Sequence, residues 1–309
     1  MRRGQRMRTD SGKLAIVVLI ASGLAFHSHN ATATEATPDF SGIWGRNAFH
    51  FEPPPSGPAP VVNRMRRPNG GMNEFLRVGD YTSPILNPKA AEVVKNRGDL
   101  ILSGKSFPNP HNQCWPEPVP FTLIIQLGMQ IIQQSDEVLL LYLADQKVRH
   151  VRMNVAHPAD VTPSWQGNSV GHYEGDVLVI DTVGLKVGPL SMVDQYGTPF
   201  TEALHVVERY RLIDGGGASE AATKHENVYG IYVPDLLNPY GRGSIDPDTS
   251  KKGLQVEVAV EDAGAFTTPW TGFVTYRHVL GDWPEVVCAE NPHMIGTETN
   301  VPSADKPDF

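Results

Sequence analysis

From residue 121 onward, short β-rich segments follow one another and are separated by turn signals such as SDE, EGD and DGGG. In GLQVEVAVED (253–262), apolar and polar residues alternate, so one leucine and three valines share a face, as in a half-buried strand. Closely spaced strands with tight turns predict an all-β fold, an antiparallel meander closed into a barrel. The predicted strand segments are FTLIIQLG, MQIIQQ, VLLLYLA, KVRHVRMNV, VLVIDTVGL, ALHVVERYRLI, GLQVEVAVED and FVTYRHVL.

The chain before residue 121 is rich in Pro and Gly and has little periodicity, which predicts an irregular wrap around the barrel. It contains one predicted short helix over 87–99, with Asn87 as N-cap, Pro88 at the first position and Gly98 at the end. The predicted organisation is a signal peptide (1–33), an irregular N-terminal wrap (34–120), a β-barrel domain (121–295) with an insertion loop (214–253), and a C-terminal tail (296–309).

The first 33 residues have the order of a secretory signal peptide. Five basic residues precede a continuous apolar stretch at 14–26, and the small-residue triplet Ala31-Thr32-Ala33 follows in a polar context. The apolar stretch is too short to span a bilayer comfortably. We therefore expect export, cleavage near Ala33, a periplasmic or secreted location, and no stable membrane insertion afterwards.

Cleavage would make the chain more acidic. The full chain has 26 basic and 34 acidic residues, and removing five basic residues and Asp10 leaves 21 against 33, a net charge of −12. Such a charge disfavours binding to nucleic acid or to an anionic membrane surface. We expect a monomer or weak oligomer whose partner is a small molecule.

The two cysteines, Cys114 and Cys288, are far apart in the sequence, and neither belongs to a CxxC motif. In an oxidising compartment, two cysteines favour a disulfide, here one that ties the start of the folded body to its end. The alternative is a pair of reactive or metal-binding thiols.

A carboxylate interrupts the apolar face of ALHVVERYRLI (203–213). With a period of two, Glu208 shares a face with Val206, Tyr210 and Leu212. A buried carboxylate is either paired or has a raised pKa, which is how general acids and bases are made. Glu208 is therefore a catalytic candidate. The alternative is a structural salt bridge to a barrel arginine, with Arg149, Arg152 and Arg277 as the possible partners.

Asp181 raises the same question, because it is in phase with Val177 and Val179 of VLVIDT. Histidines lie on or beside the predicted strands, and His157 and His205 are the candidates to form an acid–base dyad with Asp181 or Glu208. A single strand histidine is more often a hydrogen-bonded structural residue. None of the histidines on or beside the predicted strands forms an HxH or HExxH motif, so no metal or cofactor is expected.

Other motifs favour structural roles. The cluster His172-Tyr173-Glu174-Gly175-Asp176 fits the tip of a β-hairpin, where carboxylates point into water. DGGGAS (214–219) follows a strand but opens no predicted helix, so it is not a phosphate loop.

Aromatic residues supply candidate walls for a ligand pocket, although they are equally the ordinary content of a β core. The insertion loop carries further aromatic and apolar residues, and it is either a lid over the barrel mouth or a surface-packed loop. The predicted ligand-binding residues are Trp165, Tyr173, Trp270, Tyr276 and Arg209.

Several motifs occur together and in a fixed order: SWQGNSVGHYEGDVLVIDTVGL, ALHVVERYRLID, VEDAGAFTTPWTG and VCAENP. In this order they resemble a family of exported bacterial hypothetical proteins with a WEGD-T-LVVDT, ER-x-R-x-D, PW and C-x-E-N pattern, over roughly residues 110–295. The resemblance implies a lipocalin-like barrel and a Cys114–Cys288 bridge, and it implies no activity. The chain departs from the pattern at Tyr173, at Ala263-Gly264 and in the insertion loop.

These features predict an exported β-barrel enzyme that performs cofactor-free acid–base chemistry (lyase, isomerase or hydrolase) on a small apolar or aromatic molecule held in the barrel. A non-catalytic carrier for the same class of ligand and a structural envelope protein are the alternatives. An acid–histidine pair within hydrogen-bond distance in a pocket would favour the enzyme.

Overall fold

The computed structural model describes residues 37–46, 48–125, 128–143, 147–229 and 244–280. Within these ranges nine strands form a closed β-barrel, because the first strand, β1, pairs with both β2 and β10. The strands are β1 (Gly42–Arg46), β2 (Gly128–Gln133), β3 (Glu137–Tyr142), β4 (Val148–Met153), β5 (Asn168–Glu174), β6 (Val177–Val183), β7 (His205–Ile213), β9 (Gly253–Glu261) and β10 (Trp270–Leu280), and the short β8 (Ser244–Ile245) pairs with the end of β10.

Neighbouring strands in the described barrel follow the chain order, and all but one pair run antiparallel. The exception is β4 with β5, where Val151 lies opposite Ser169 in parallel register. The segment 154–167 between them is long enough to carry the chain back to the other end of the barrel, as a parallel pair requires. The predicted all-β barrel is confirmed, but it is mixed rather than purely antiparallel.

The inner face of the barrel is packed with side chains. Alternate residues of β9, from Leu254 to Val260, are buried as their alternation predicts, and so are Val206, Glu208 and Tyr210 of β7. The two strands pair so that Glu208 lies opposite Val258. The lumen is therefore part of the hydrophobic core, with a carboxylate inside it.

The predicted helix in the N-terminal segment is confirmed as α1 (Pro88–Leu102), and the side chain of its N-cap Asn87 accepts a hydrogen bond from the Ala90 amide. Gly98 does not end the helix as predicted. It lies within α1 against Val78, where an added Cβ would come within 2.7 Å of a valine methyl. The segment also contributes β1 to the barrel and a 3-10 turn at His111–Gln113.

Two further helices differ from the sequence predictions. FTLIIQLG was predicted as a strand, but α2 (Thr122–Ile125) is a single helical turn, because short buried apolar runs do not distinguish the two conformations. DGGGAS was predicted to open no helix, yet α3 (Gly215–Tyr229) begins there, and Asp214 Oδ1 accepts a hydrogen bond from the Gly217 amide. The side chain thus caps the helix that the three glycines begin.

Several predictions lie outside the described residues: the signal peptide, the C-terminal tail, Cys288, and the part of the insertion loop at 230–243. The Cys114–Cys288 bridge and the lid accordingly stay predictions. Among the helices that the structure describes, none is long and apolar enough to cross a membrane.

Candidate functional site

Three of the predicted catalytic residues come together on the outer face of the barrel. Asp181 Oδ1 lies 3.0 Å from His157 Nε2 and 3.0 Å from His205 Nε2. His205 Nδ1 lies 2.7 Å from Glu261 Oε1 of β9, and His157 Nδ1 lies 2.8 Å from Asn168 Oδ1 of β5. Together these contacts join β5, β6, β7, β9 and the loop after β4.

The ionisable side chains of this histidine network (His157, Asp181, His205 and Glu261) are paired with one another. The hydrogen bond to Asp181 raises the pKa of His205, and so does the contact with Glu261. Partial burial acts in the opposite direction but is outweighed, and the pKa rises to about 9. The hydrogen bond from His205 likewise holds the pKa of Asp181 below its ordinary value. His205 is therefore a cation between two carboxylates at neutral pH, which suits it to bind strands together and not to accept a proton.

Glu208, the fourth predicted catalytic residue, lies apart from this network, inside the barrel. Its carboxylate accepts hydrogen bonds from Arg149 Nη1 (3.1 Å), Arg149 Nη2 (2.5 Å) and the Tyr210 hydroxyl (3.0 Å). The Arg149 guanidinium also donates to Ser169 and Thr182. Both charged side chains are at most 1% exposed. The arrangement is a structural salt bridge to a barrel arginine, the alternative role for Glu208, and Arg149 is the partner.

Asp181 is not on the core face of its strand, although it shares the phase of Val177 and Val179. In β6 the residues facing the lumen are Leu178, Ile180 and Thr182, and Ile180 lies opposite the inward Glu208. The two valines are buried on the outer side. Because β6 is buried on both faces, its apolar residues do not identify the side that faces the lumen. The prediction that Asp181, like Glu208, lies on the inner face of the barrel was wrong.

The predicted ligand-binding residues are spread over the molecule. Tyr276 and Trp270 belong to the core, where the Tyr276 hydroxyl donates to the Leu123 carbonyl (2.7 Å). The Tyr173 hydroxyl accepts from Gln133 Nε2 (2.7 Å), Trp165 packs edge-on against Trp115, and Arg209 pairs with Glu174 at the confirmed hairpin tip.

A pocket of about 200 Å³ lies outside the barrel lumen, between the N-terminal segment and the loop that joins β6 to β7. Its wall is part apolar and part polar, and the polar part includes two cationic or titratable groups and three amides. Such a mixture is typical of small-molecule sites. The apolar lining is Ile101, Phe107, Phe121 and Met192, and the polar lining includes Arg77, Asn109, His111, Asn112 and Gln195.

On one side of this pocket, His111 is held by a buried carboxylate. His111 Nδ1 lies 3.3 Å from Glu117 Oε1, and Glu117 Oε2 pairs with the ammonium of Lys147. Burial alone would raise the pKa of Glu117, but His111 and Lys147 lower it further than burial raises it, so the net pKa lies below the ordinary value. Glu117 is therefore ionised at neutral pH and can fix the orientation of the imidazole ring.

On the other side, Arg77 is held by a second buried carboxylate. Arg77 Nε lies 2.6 Å from Glu74 Oε1, and Glu74 Oε2 contacts His50 Nε2. The remaining nitrogen of His50, Nδ1, lies 2.8 Å from the Tyr196 hydroxyl. Burial raises the pKa of Glu74, but His50 and Arg77 outweigh it and leave the pKa lowered. A relay of buried groups thus positions the arginine.

Sequence reasoning missed this pocket because its residues come mostly from the irregular N-terminal segment and from the loop that joins β6 to β7, where no periodicity shows which side chains point inward. The one local signal was His111 followed by Glu117 within a Pro- and Asn-rich stretch. Arg77 and its partner Glu74 are near in the sequence, but Tyr196, which contacts His50 behind Glu74, lies in the loop that joins β6 to β7, and only the fold brings it there.

In the part of the chain that the structure describes, no group of three or more His, Cys, Asp or Glu side chains has the arrangement of a metal site. Comparisons with protein-family models, with curated proteins and with solved structures give no match for this chain. The resemblance to exported bacterial proteins therefore stays a prediction that rests on the quoted motifs.

Proposed function

We propose that the protein is an exported enzyme that performs cofactor-free acid–base chemistry in the 200 Å³ pocket beside His111. The supporting observation is that His111 and Arg77 line the same pocket and that each is held by its own buried carboxylate. An imidazole and a guanidinium that share a pocket form a proton-transfer group and an anion-binding group.

His111 is the proton-transfer group in this proposal. Because Glu117 contacts Nδ1, it favours the tautomer with a proton on that nitrogen, and Nε2 is then the ring atom that exchanges a proton with a substrate. Glu117 is a positioning residue, and Lys147 keeps it ionised.

Arg77 and the apolar wall select the substrate. The guanidinium binds an anionic group, and Phe107 and Phe121 contact an apolar or aromatic body. The pocket is smaller than a typical drug-sized site of about 300–1,000 Å³, so the substrate is small. The reaction is a proton abstraction, an addition–elimination or a hydrolysis.

The outer histidine network and Glu208 belong to the earlier hypothesis of catalysis by Glu208, Asp181, His157 and His205. That role stays a prediction, and the geometry favours the His111 pocket because His205 is held between two acids and Glu208 between donors.

Deuterium exchange tests the proposal without a known substrate. The protein is incubated in D2O with a panel of small aromatic and 2-oxo carboxylic acids, and loss of C–H signals is followed by proton NMR. We expect exchange that falls about 10²–10⁴-fold in His111→Gln. His172→Gln, at the exposed hairpin tip, is the matched control and should exchange like the unmodified protein. Equal exchange in His111→Gln would contradict the assignment.

A non-catalytic carrier is the second candidate function. It is favoured by the three amide side chains of the pocket, Asn109, Asn112 and Gln195, which can hold a polar ligand without any chemistry. Saturable binding of a carboxylic acid with no exchange in any panel member would identify the carrier.

A further inference from the structure

Gln195, in the loop that joins β6 to β7, has a hydrogen-bonding group without a partner. The residue lines the His111 pocket and is 6% exposed. Its Nε2 donates to the Phe49 carbonyl. Its Oε1 is buried, and no donor contacts it in the part of the chain that the structure describes. Buried amide oxygens are ordinarily hydrogen-bonded, so this one indicates a place where a donor is expected.

The orientation of the Gln195 amide is fixed by the Phe49 carbonyl. A flipped amide would turn its oxygen toward that carbonyl oxygen, and two acceptors do not form a hydrogen bond. The atom that lacks a partner is therefore the oxygen and not the nitrogen. Its partner must be a donor, such as a hydroxyl or an N–H group.

The other two amides of the pocket wall already bond within their own segment. Asn112 Oδ1 accepts from the Asn109 amide, and Asn109 Oδ1 accepts from the Asn112 amide, each at 2.9 Å. Asn112 Nδ2 also donates to the Phe107 carbonyl (3.0 Å). These bonds hold the 3-10 turn that carries His111. Of the three amide oxygens in this wall, Gln195 Oε1 is thus the one for which the described residues supply no donor.

Phe49 connects Gln195 to Arg77. Its carbonyl binds the Gln195 amide, and its ring centroid lies 5.9 Å from Arg77 Cζ. Both Gln195 and Arg77 line the pocket, whose volume of about 200 Å³ has room for much more than a bridging water. A single water needs only about 10–15 Å³. A small ligand whose anionic group binds Arg77 therefore has its neighbouring atoms near Gln195.

We propose that Gln195 Oε1 accepts a hydrogen bond from a hydroxyl group of the ligand, and that the pocket selects small aromatic 2-hydroxy carboxylates. The inference rests on the proposed function, because it takes the anion-binding role of Arg77 from it. An ammonium group would bring a second cation next to Arg77, and the buried carboxylates Glu74 and Glu117 are already paired with basic side chains. A hydroxyl needs no such partner.

Isothermal titration with mandelate and phenylacetate tests this role, because the two acids differ by a single hydroxyl group. For the unmodified protein we expect the better-bound enantiomer of mandelate to bind about tenfold or more tightly than phenylacetate. The physical reason is that phenylacetate leaves the buried oxygen unpaired. Equal affinities, or no binding of mandelate, would overturn the proposal.

Gln195→Met removes the acceptor and keeps a side chain of similar length. We expect the preference for mandelate to fall to about twofold or less, while phenylacetate binds as before or more tightly. Because the preference is a ratio within one variant, a general weakening of the pocket does not imitate this result. Gln255→Met is the matched control, since Gln255 lies on the outer side of β9, and it should retain the full preference. A Gln195→Met protein that retains it would refute the assignment.

O-Methylmandelate gives the same test in the unmodified protein, without any variant. It keeps the oxygen but has no proton to donate, so it should bind no more tightly than phenylacetate. Binding as tight as that of mandelate would show that no hydrogen bond to Gln195 is made.

His111→Gln separates this inference from the proposed function. Exchange that persists in His111→Gln contradicts the enzyme but not the hydroxyl preference, which is measured by binding alone. Equal binding of mandelate and phenylacetate contradicts the role of Gln195 and leaves the proton-transfer role of His111 as it stands.

Discussion

Replacing Glu208 by Gln is expected to destabilise the barrel strongly, because the change leaves Arg149 charged and buried. The amide keeps the shape of the side chain but removes the negative charge that faces two guanidinium nitrogens, at 3.1 and 2.5 Å. Ser169 and Thr182 still accept from Arg149, but neither is an anion. Both charged side chains are at most 1% exposed, so water cannot take over their solvation.

The magnitude follows from that burial. Breaking a fully buried ion pair by removing one partner costs about 3–5 kcal/mol, and at about 2–4 °C per kcal/mol for a domain of this size Tm should fall by roughly 6–20 °C. Urea unfolding followed by far-UV circular dichroism measures the loss as a lower midpoint with an unchanged m-value.

The double variant Arg149→Met with Glu208→Gln is the matched control. It removes both charges, so we expect it to recover at least half of the stability that the single variant loses. A Glu208→Gln protein that unfolds at the same urea concentration as the unmodified protein would refute the reasoning. Loss of activity in this variant therefore carries no information about catalysis unless its stability is measured alongside.

The remaining predictions concern the histidine network and the cysteines. The folded-state pKa of His205, about 9, lies above the ordinary value of 6.5, so its contribution to stability is fully present below pH 6.5 and is lost as the pH rises through about 9. The urea midpoint should fall between pH 6 and pH 10 by more in the unmodified protein than in His205→Gln, and equal falls would contradict the network. For Cys114 and Cys288, thiol titration in guanidinium should find no thiols before reduction and two afterwards, whereas two thiols without reductant would exclude the bridge.

The strands of the barrel were largely predictable because alternation is a local property. The alternation of apolar and polar residues within ten positions predicts that Val256 and Val258 face the lumen. The same period of two correctly predicted that Glu208 is inside the barrel. The hairpin tip at Gly175 was predictable for a similar reason: its φ of +61° suits glycine, and the flanking strands adjoin it directly.

The candidate site was not predictable in the same way. His111 lies in a 3-10 turn and Arg77 in irregular backbone. The carboxylates that hold them, Glu117 and Glu74, are near in the sequence, but only the fold shows that both are buried and that His111 and Arg77 line one pocket. For Asp181 the sequence pattern was misleading. Its phase with Val177 and Val179 predicted a side chain inside the barrel, but the strand pairing places it on the outer face. Periodicity reports which residues share a face, and pairing with neighbours decides which face is the inner one.

The seam between β1 and β10 has a consequence for how the chain folds. Trp44 pairs with His278 and Arg46 with Tyr276, so β1 finds its partner strand more than 200 positions further along the chain. Until β10 is available, β1 and β9 present unpaired backbone groups to any other strand they meet. Closure of so distant a pair is slow because the loop entropy must be overcome before the contact forms. A chain built in this way completes its barrel only after β10 has left the ribosome.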